Sequence, residues 1–256
     1  MASPKDSSLY ISSVEKAFRL LNAFERNASK LSLTQLAQIT LLTLPNVQRL
    51  THTLSVLGLI SRDEATKRYS LTTRALDIGY RYLQTSPILD RASPYLAELS
   101  RRTEETVNLT VLDGAEVVYI ARHRGFHSIG VNVFIGTRLP AFATGIGQAM
   151  LAFLPPADAI NRLNGIKRTR LTKYTITDLG TLQRKLQKIR KLGYAVEDQE
   201  MFLGGISVAV PILNREEAPL ASLNVAVPAS RFTAAEAERR FANLLLEIAR
   251  EIRGPE

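Results

Sequence analysis

The order of short segments in the first third of the chain constrains the fold more than any other feature of the sequence. Apolar residues recur at helical spacing in residues 33–39 and again in residues 44–57. Pro45 falls in the first turn of the second segment, where its missing backbone N–H costs nothing. Two short apolar segments, 59–62 and 69–71, then flank a polar turn. This pattern predicts two helices joined by a tight turn and followed by a β-hairpin.

That order is typical of a winged helix-turn-helix, whose second helix enters the major groove while the hairpin, or wing, contacts the DNA backbone. We expect the second helix to bury one face through Val47, Leu50, Leu54 and Leu57. The opposite face, which includes Thr51, carries groups that can hydrogen-bond to base edges or phosphates. An ordinary helix with a solvated polar face is the alternative for any single position. The candidate DNA-binding residues are Thr43, Pro45, Asn46, Gln48, Arg49, His52, Thr53, Lys67 and Arg68.

The distribution of charge points to the same part of the chain. Lys and Arg number 33 against 24 Asp and Glu, which gives a formal net charge of +9. The first 85 residues hold 11 of these basic residues and 6 of the acidic ones, so the positive charge is densest there. A basic surface favours a polyanionic partner. We therefore expect double-stranded DNA to bind the N-terminal part.

Several classes of protein are excluded by what the sequence lacks. It contains no cysteine, which rules out disulfides, thiolate metal sites and cysteine nucleophiles. No stretch approaches the roughly 18 consecutive apolar residues of a membrane helix, and the first residues lack the pattern of a signal peptide. We expect a cytoplasmic protein with no membrane partner. His123 and His127 lie four residues apart, but without a further nearby ligand we expect no metal site and no cofactor.

The remainder of the chain is expected to form a second domain. Ser86-Pro87 interrupts a helical segment, so we expect a DNA-binding domain over residues 8–72, a linker helix over 73–86 and a larger domain over 87–254. Short turns such as Asp113-Gly114 join the strands, which predicts an antiparallel sheet covered by helices, an α+β fold. The expected strands are 106–112, 116–122, 127–134, 194–200, 206–213 and 220–227, and the expected helices are 88–102, 143–154, 177–192 and 232–252.

Residues 10–254 resemble the IclR family of bacterial transcriptional regulators. The stretches that carry the resemblance are 13–24, 33–58 with the hairpin that follows, 136–152, 193–200 and 204–211. The resemblance implies a non-enzymatic regulator that is a homodimer or homotetramer. It also implies a GAF-like C-terminal domain that binds a small organic acid as effector.

Within the family, four short segments are similar to the branch of PcaU, PcaR and PobR, which regulate aromatic-acid catabolism. These segments are 131–133, 136–138, 198–200 and 223–225. Two positions depart from the pattern. Gln148 stands where the family prefers Lys or Arg, and Ile206 replaces a residue that is usually basic in this branch. The second change removes a partner that an effector carboxylate could use.

The glycine-containing segment Thr144-Gly145-Ile146-Gly147 opens a helix after a turn, where unpaired backbone N–H groups can bind an anion. A tight packing turn is the alternative explanation of these glycines. The resemblance implies that the effector carboxylate binds the N–H groups of Gly145 and Ile146. It places Glu197, Ser207, Asn224 and Ala226 on the opposite side of the site. Arg138 is a second candidate partner for the anion, and a salt bridge within the domain is equally compatible with it.

Two other functions are compatible with parts of the sequence. A hydrolase could use Ser207 as nucleophile, although the segment Gly205-Ile206-Ser207-Val208-Ala209 matches the usual Gly-x-Ser-x-Gly motif only in part. The chain could also be a protein-interaction module that binds no small molecule.

Overall fold

The computed structural model describes residue 5 and residues 7–25, 28–126 and 133–253. The chain divides into two compact units, Met1–Tyr82 and Leu83–Glu256. None of the helices within these described ranges is long and apolar enough to cross a membrane.

The first unit is a helix-turn-helix followed by a hairpin, as predicted. Its helices are α1 (Ser12–Leu21), α2 (Leu33–Thr40) and α3 (Leu44–Val56), and its antiparallel strands are β1 (Ile60–Arg62) and β2 (Tyr69–Leu71). A capping box begins α2, because the Ser32 hydroxyl accepts from the Gln35 backbone N–H while the Gln35 side chain accepts from the Ser32 N–H. Leu41 ends α2 in the left-handed conformation, with φ of 54°, and this makes the turn to α3 tight.

The buried face of α3 differs from the prediction at two positions. Val47 and Leu54 are buried as expected, but Leu57 is 51% exposed. Thr51, expected on the polar face, is only 1% exposed, and its hydroxyl donates to the Gln48 carbonyl. The reason is helical periodicity, since Thr51 lies four residues after Val47 and three before Leu54 and therefore shares their face. Thr51 is thus a core residue that cannot contact DNA.

The second unit contains a six-stranded sheet in the order β5-β4-β3-β8-β7-β6, and every neighbouring pair is antiparallel. Gly114, at φ of 61°, makes the predicted tight turn between β3 and β4. The predicted α+β class is therefore confirmed. The strands are β3 (Thr106–Asp113), β4 (Glu116–His123), β5 (Arg138–Pro140), β6 (Ala195–Asp198), β7 (Gly205–Leu213) and β8 (Pro219–Pro228).

Helices cover both faces of this sheet. They are α5 (Pro87–Thr103), α6 (Gly145–Leu151), α7 (Pro156–Asn164), α8 (Leu179–Leu192) and α9 (Ala234–Arg253), and α4 (Leu76–Gln84) precedes them at the boundary between the two units. The period of two along each strand separates two cores. On one face, Val107, Val208 and Val225 pack with α5 and α9. The other face carries more polar residues and lies under α6 and α8, whose apolar residues form a second core.

Three local predictions need correction. The predicted helix 143–154 is a 3₁₀ turn, Ala141–Ala143, followed by the shorter α6, because Thr144 is extended and begins a new helix. Helix α7 was not predicted. Of the predicted strand 127–134, residues 127–132 lie outside the described part of the chain, while Val133 and Phe134 belong to no strand.

Candidate functional site

The exposed face of α3 and the neighbouring strand β1 form a concave surface on the first unit. Gln48, Arg49, His52 and Thr53 all line it and are exposed. Arg62 on β1 also lines this surface, with its guanidinium 5.9 Å from the centre of the Tyr69 ring. Sequence reasoning missed Arg62, although it lies in the first strand of the predicted hairpin. The surface combines cationic, amide and hydroxyl groups of the kind that bind DNA.

The two cations predicted at the hairpin tip do not line this concave surface. Lys67 pairs with Glu64, and their charged atoms are 2.9 Å apart. Arg68 donates to the Lys30 carbonyl at 3.1 Å and to the Gln35 amide oxygen at 3.0 Å. Both side chains are exposed, so a contact with DNA stays a prediction for each of them.

The remaining candidates lie at the N-terminal end of α3. Thr43 and Pro45 are exposed, and the Thr43 side chain makes no capping hydrogen bond. Asn46 is partly buried and lines a groove that faces α1 instead of the hairpin.

The second unit contains a cavity of about 570 Å³ between the sheet and the start of α6, part of it open to solvent. Six of the seven predicted effector-site residues come together in its lining, with Ala226, which the resemblance also placed there. The six are Thr144, Gly145, Ile146, Glu197, Ser207 and Asn224. Apolar side chains form much of the remaining wall, namely Tyr119, Val133, Met201 and Phe202. The cavity therefore combines an apolar wall with a small set of convergent polar groups, the usual composition of a small-molecule site.

Polar side chains on neighbouring strands form a hydrogen-bonded chain across the floor of the cavity. Arg122 donates to the Asn108 side-chain oxygen at 3.2 Å. Asn108 donates to the Asn224 oxygen at 2.8 Å, and Asn224 donates to the Ser207 hydroxyl at 2.7 Å. Strand register explains the row, since Arg122, Asn108 and Asn224 face one another across β4, β3 and β8.

The start of α6 lies directly above this floor. The Thr144 hydroxyl accepts from the Gly147 N–H at 3.2 Å and so caps the helix. Gly145 and Ile146 are the first two residues of the helix, so their N–H groups have no partner within it. A methyl group on Gly145 would meet the Ser207 hydroxyl oxygen at 3.0 Å, which shows how closely the backbone approaches the sheet here.

Glu197 is a buried carboxyl group at one side of the cavity. Burial raises the pKa of Glu197 to about 8, and the nearby Glu200 carboxylate adds to the increase. One of its oxygens accepts from the Glu200 and Met201 backbone N–H groups. Near neutral pH the Glu197 side chain is therefore largely protonated and can donate its proton.

The raised pKa of Glu197 predicts a change in stability with pH. Because the unfolded chain releases this proton near pH 4.5 and the folded chain near pH 8, the contribution of Glu197 to stability falls as the pH rises between these values. Glu197→Gln cannot titrate, yet its amide oxygen can still accept from the two N–H groups. We expect the melting temperature of the variant, relative to the unmodified protein, to rise between pH 5 and pH 8. A constant difference in calorimetric scans would contradict the raised pKa.

Arg138 is not part of the cavity. Its guanidinium pairs with Asp113 and with Glu116 in the adjoining strand β4, which corresponds to the salt bridge considered as the alternative. The register of β5 on β4 explains this position, since Arg138 pairs with Val118 near the β3–β4 turn. Arg122 supplies a cation at the cavity instead, and sequence reasoning missed it because a lone arginine at the end of an apolar strand gives no signal.

Gln148, one of the departures from the family pattern, is buried behind the cavity. Its amide nitrogen donates to the Phe142 carbonyl and to the Glu200 carboxylate, each at 2.9 Å. Lys185 pairs with the same carboxylate. At position 148 a neutral donor thus stands where the family prefers Lys or Arg. The positive charge beside the Glu200 carboxylate comes from Lys185 instead.

Two family models match the chain. Residues 13–64 match the IclR helix-turn-helix domain, and residues 80–253 match the C-terminal domain of the bacterial transcriptional regulator IclR. The Pca regulon regulatory protein of Pseudomonas putida is 32% identical over 244 residues, which cover 95% of this chain and 83% of the relative.

Further similarity extends over most of the chain. The p-hydroxybenzoate hydroxylase transcriptional activator of Acinetobacter baylyi is 33% identical over 84% of this chain and 80% of its own length. The crystal structure of the Thermotoga maritima IclR superposes with a TM-score of 0.76 at 31% identity, covering 95% of this chain and 98% of that one. These relatives are regulators, and no histidine of the described residues lines the cavity beside Ser207. The hydrolase alternative is therefore unsupported.

Proposed function

This chain belongs to the IclR family of bacterial transcriptional regulators, and we propose that a small organic acid bound in the cavity of its second unit controls its binding to operator DNA. The observation that carries the proposal is the cavity itself, where hydrogen-bond donors and unpaired backbone N–H groups converge against an apolar wall.

For DNA, we assign base contacts to the residues that line the concave surface beside the hairpin. Gln48, Arg49 and His52 project from the exposed face of α3 and have groups that can bond to base edges in the major groove. Arg62, Lys67 and Arg68 on the hairpin are assigned to phosphates, as are Thr43 and Thr53. We assign Pro45 and Asn46, at the N-terminal end of α3, to the part of the helix that comes close to the DNA as α3 enters the major groove.

For the effector, we assign the carboxylate to the N–H groups of Gly145 and Ile146, beside the capping residue Thr144. Ser207 on β7, Asn224 on β8 and protonated Glu197 on β6 face these N–H groups from the sheet. They can hydrogen-bond to a second polar group of the effector. One relative is named as a regulator of the Pca regulon and another as a transcriptional activator of p-hydroxybenzoate hydroxylase. Since the cavity wall is apolar and partly aromatic, we propose an aromatic acid as the effector.

The melting temperature of the full chain with added acids tests this assignment. A ligand that binds only the folded state at 100 times its Kd stabilises by about 2.7 kcal/mol, which corresponds to roughly 5–10 °C for a domain of this size. Gly145→Ala should fold but lose most of the shift, because its methyl group would occupy the space between the backbone and Ser207. An undiminished shift in Gly145→Ala would contradict the assigned position of the carboxylate. No shift with any acid of a broad panel would favour an interaction module without a ligand.

We also propose a homodimer or homotetramer. Helix α4 buries none of its residues within one chain, although it exposes Leu76, Ile78, Tyr80 and Tyr82. Exposed apolar residues in such number are typical of a surface that another chain covers. Light scattering of the full chain measures the assembly directly, and a monomer at micromolar concentration would contradict this part of the proposal.

A further inference from the structure

Arg122 is a partly buried cation at the cavity that has no carboxylate partner among the described residues. One terminal nitrogen of its guanidinium donates to Asn108, but its Nε is buried and makes no hydrogen bond. Burial lowers the pKa of Arg122, although an arginine stays protonated at neutral pH. Two other cations of this unit form salt bridges with buried carboxylates, Lys185 with Glu200 and Arg231 with Glu105. A buried donor without an acceptor is costly, so the position of Arg122 points to an acceptor that comes from outside the chain.

The direction of the hydrogen bonds across the floor strengthens this conclusion. A guanidinium can only donate, so Asn108 presents its oxygen to Arg122 and its nitrogen to Asn224. Asn224 in turn donates to Ser207, whose own hydroxyl proton is left for another acceptor. From Arg122 to Ser207, the floor of the cavity therefore offers donors, and a ligand that meets it must supply acceptors or negative charge.

The spacing of the strands separates Arg122 from the proposed carboxylate site at Gly145. Gly145 lies over Ser207 on β7, whereas the guanidinium of Arg122 reaches Asn108 on β3. In the sheet order, β3 is two strands from β7, a distance of about 10 Å at the usual strand spacing. One small carboxylate cannot contact both places, but a ligand with an acidic group at each end can.

We propose that the cavity selects a small dicarboxylate, with one carboxylate at the start of α6 and the second bound by the guanidinium of Arg122. This inference rests on the proposed function, because it concerns the same cavity and the same first carboxylate. It assigns Arg122 as the residue that distinguishes an acid with two charged ends from an acid with one.

Benzoate, 4-hydroxybenzoate and terephthalate test the proposal, since they share one ring and differ only in the group opposite the carboxylate. We expect isothermal titration of the full chain to show that terephthalate binds at least about tenfold more tightly than benzoate, because a charge-assisted bond to Arg122 is added. Arg122→Gln should remove this preference, so that terephthalate binds no more tightly than benzoate to the variant. Arg122→Lys should keep part of the preference, because it keeps the charge.

Arg138→Gln is the matched control, because it removes an arginine from the same sheet that lies outside the cavity, and it should leave the ranking of the three acids unchanged. Equal affinity for all three acids, or a preference for terephthalate that survives in Arg122→Gln, would contradict the role of Arg122 but leave the proposed effector site intact. Failure of every acid to bind would contradict the proposed effector site itself.

Discussion

Replacing Gly147 with alanine is expected to lower the free energy of unfolding of the C-terminal unit by about 3 kcal/mol, the upper end of the range for overpacked sites. A methyl group there would lie 2.3 Å from the Cα and the carbonyl oxygen of Ala141. These are backbone atoms of a fully buried turn, so they cannot move aside without displacing α6 from the sheet. The corresponding fall in melting temperature is about 6–12 °C for a domain of this size.

Two other glycines in the same unit serve as matched controls in calorimetric or denaturant unfolding. Gly180→Ala on α8 places its methyl group 3.5 Å from the nearest atom, an ordinary contact, and should be neutral or stabilising by up to about 1 kcal/mol. Gly145→Ala meets only side chains, so it should affect acid binding more than stability. If Gly147→Ala were as stable as Gly180→Ala, the result would contradict the close contact between α6 and the backbone of Ala141.

Replacing Arg49 with alanine is expected to weaken binding to the preferred DNA sequence by about tenfold to a hundredfold, the range for a lost base contact of about 1–3 kcal/mol. Arg49 is exposed at the middle of the face that α3 presents beside the hairpin. Arg62→Gln should behave differently, because Arg62 is assigned to a phosphate. It should weaken binding to all sequences and reduce the slope of log K against log salt concentration by about 0.9.

Fluorescence anisotropy with duplexes selected by the unmodified protein can separate these two effects. Each variant is titrated with the selected duplex and with a scrambled duplex at several salt concentrations. Arg184→Gln, on α8 of the other unit, controls for the loss of one positive charge. Unchanged affinity in both Arg49→Ala and Arg62→Gln would show that this face of α3 is not the DNA-binding surface.

The helix-turn-helix could be predicted because its signals are local. Ser32 and Gln35 form a capping box within four residues, and Pro45 starts α3 where the sequence indicates. The antiparallel pairing of β3 and β4 could also be predicted, since Asp113-Gly114 lies at the short turn that joins them. In each case the residues that decide the structure are neighbours in the chain.

The floor of the cavity could not be predicted, because it depends on contacts between distant segments. Asn108 and Asn224 are 116 residues apart and meet only through the register of β3 on β8. Arg122 and Arg138 are both arginines in strands, yet one faces the cavity and the other pairs with acids beside the β3–β4 turn. No local pattern separates these two outcomes. Thr51 is an error of a different kind, since its chemical type outweighed its helical position.

The side-chain oxygen of Gln35 receives two hydrogen bonds, one from the backbone at the start of α2 and one from Arg68 on the hairpin. Strand β2 is also bridged to Leu31, just before that helix. These contacts fix the hairpin to α2, and Val47 and Leu54 of α3 pack in the same core as Leu36 of α2 and Ile60 and Tyr69 of the hairpin. Because one core holds all three of these parts, we expect an effector to change how the DNA-binding unit is presented to the double helix and not the internal shape of that unit.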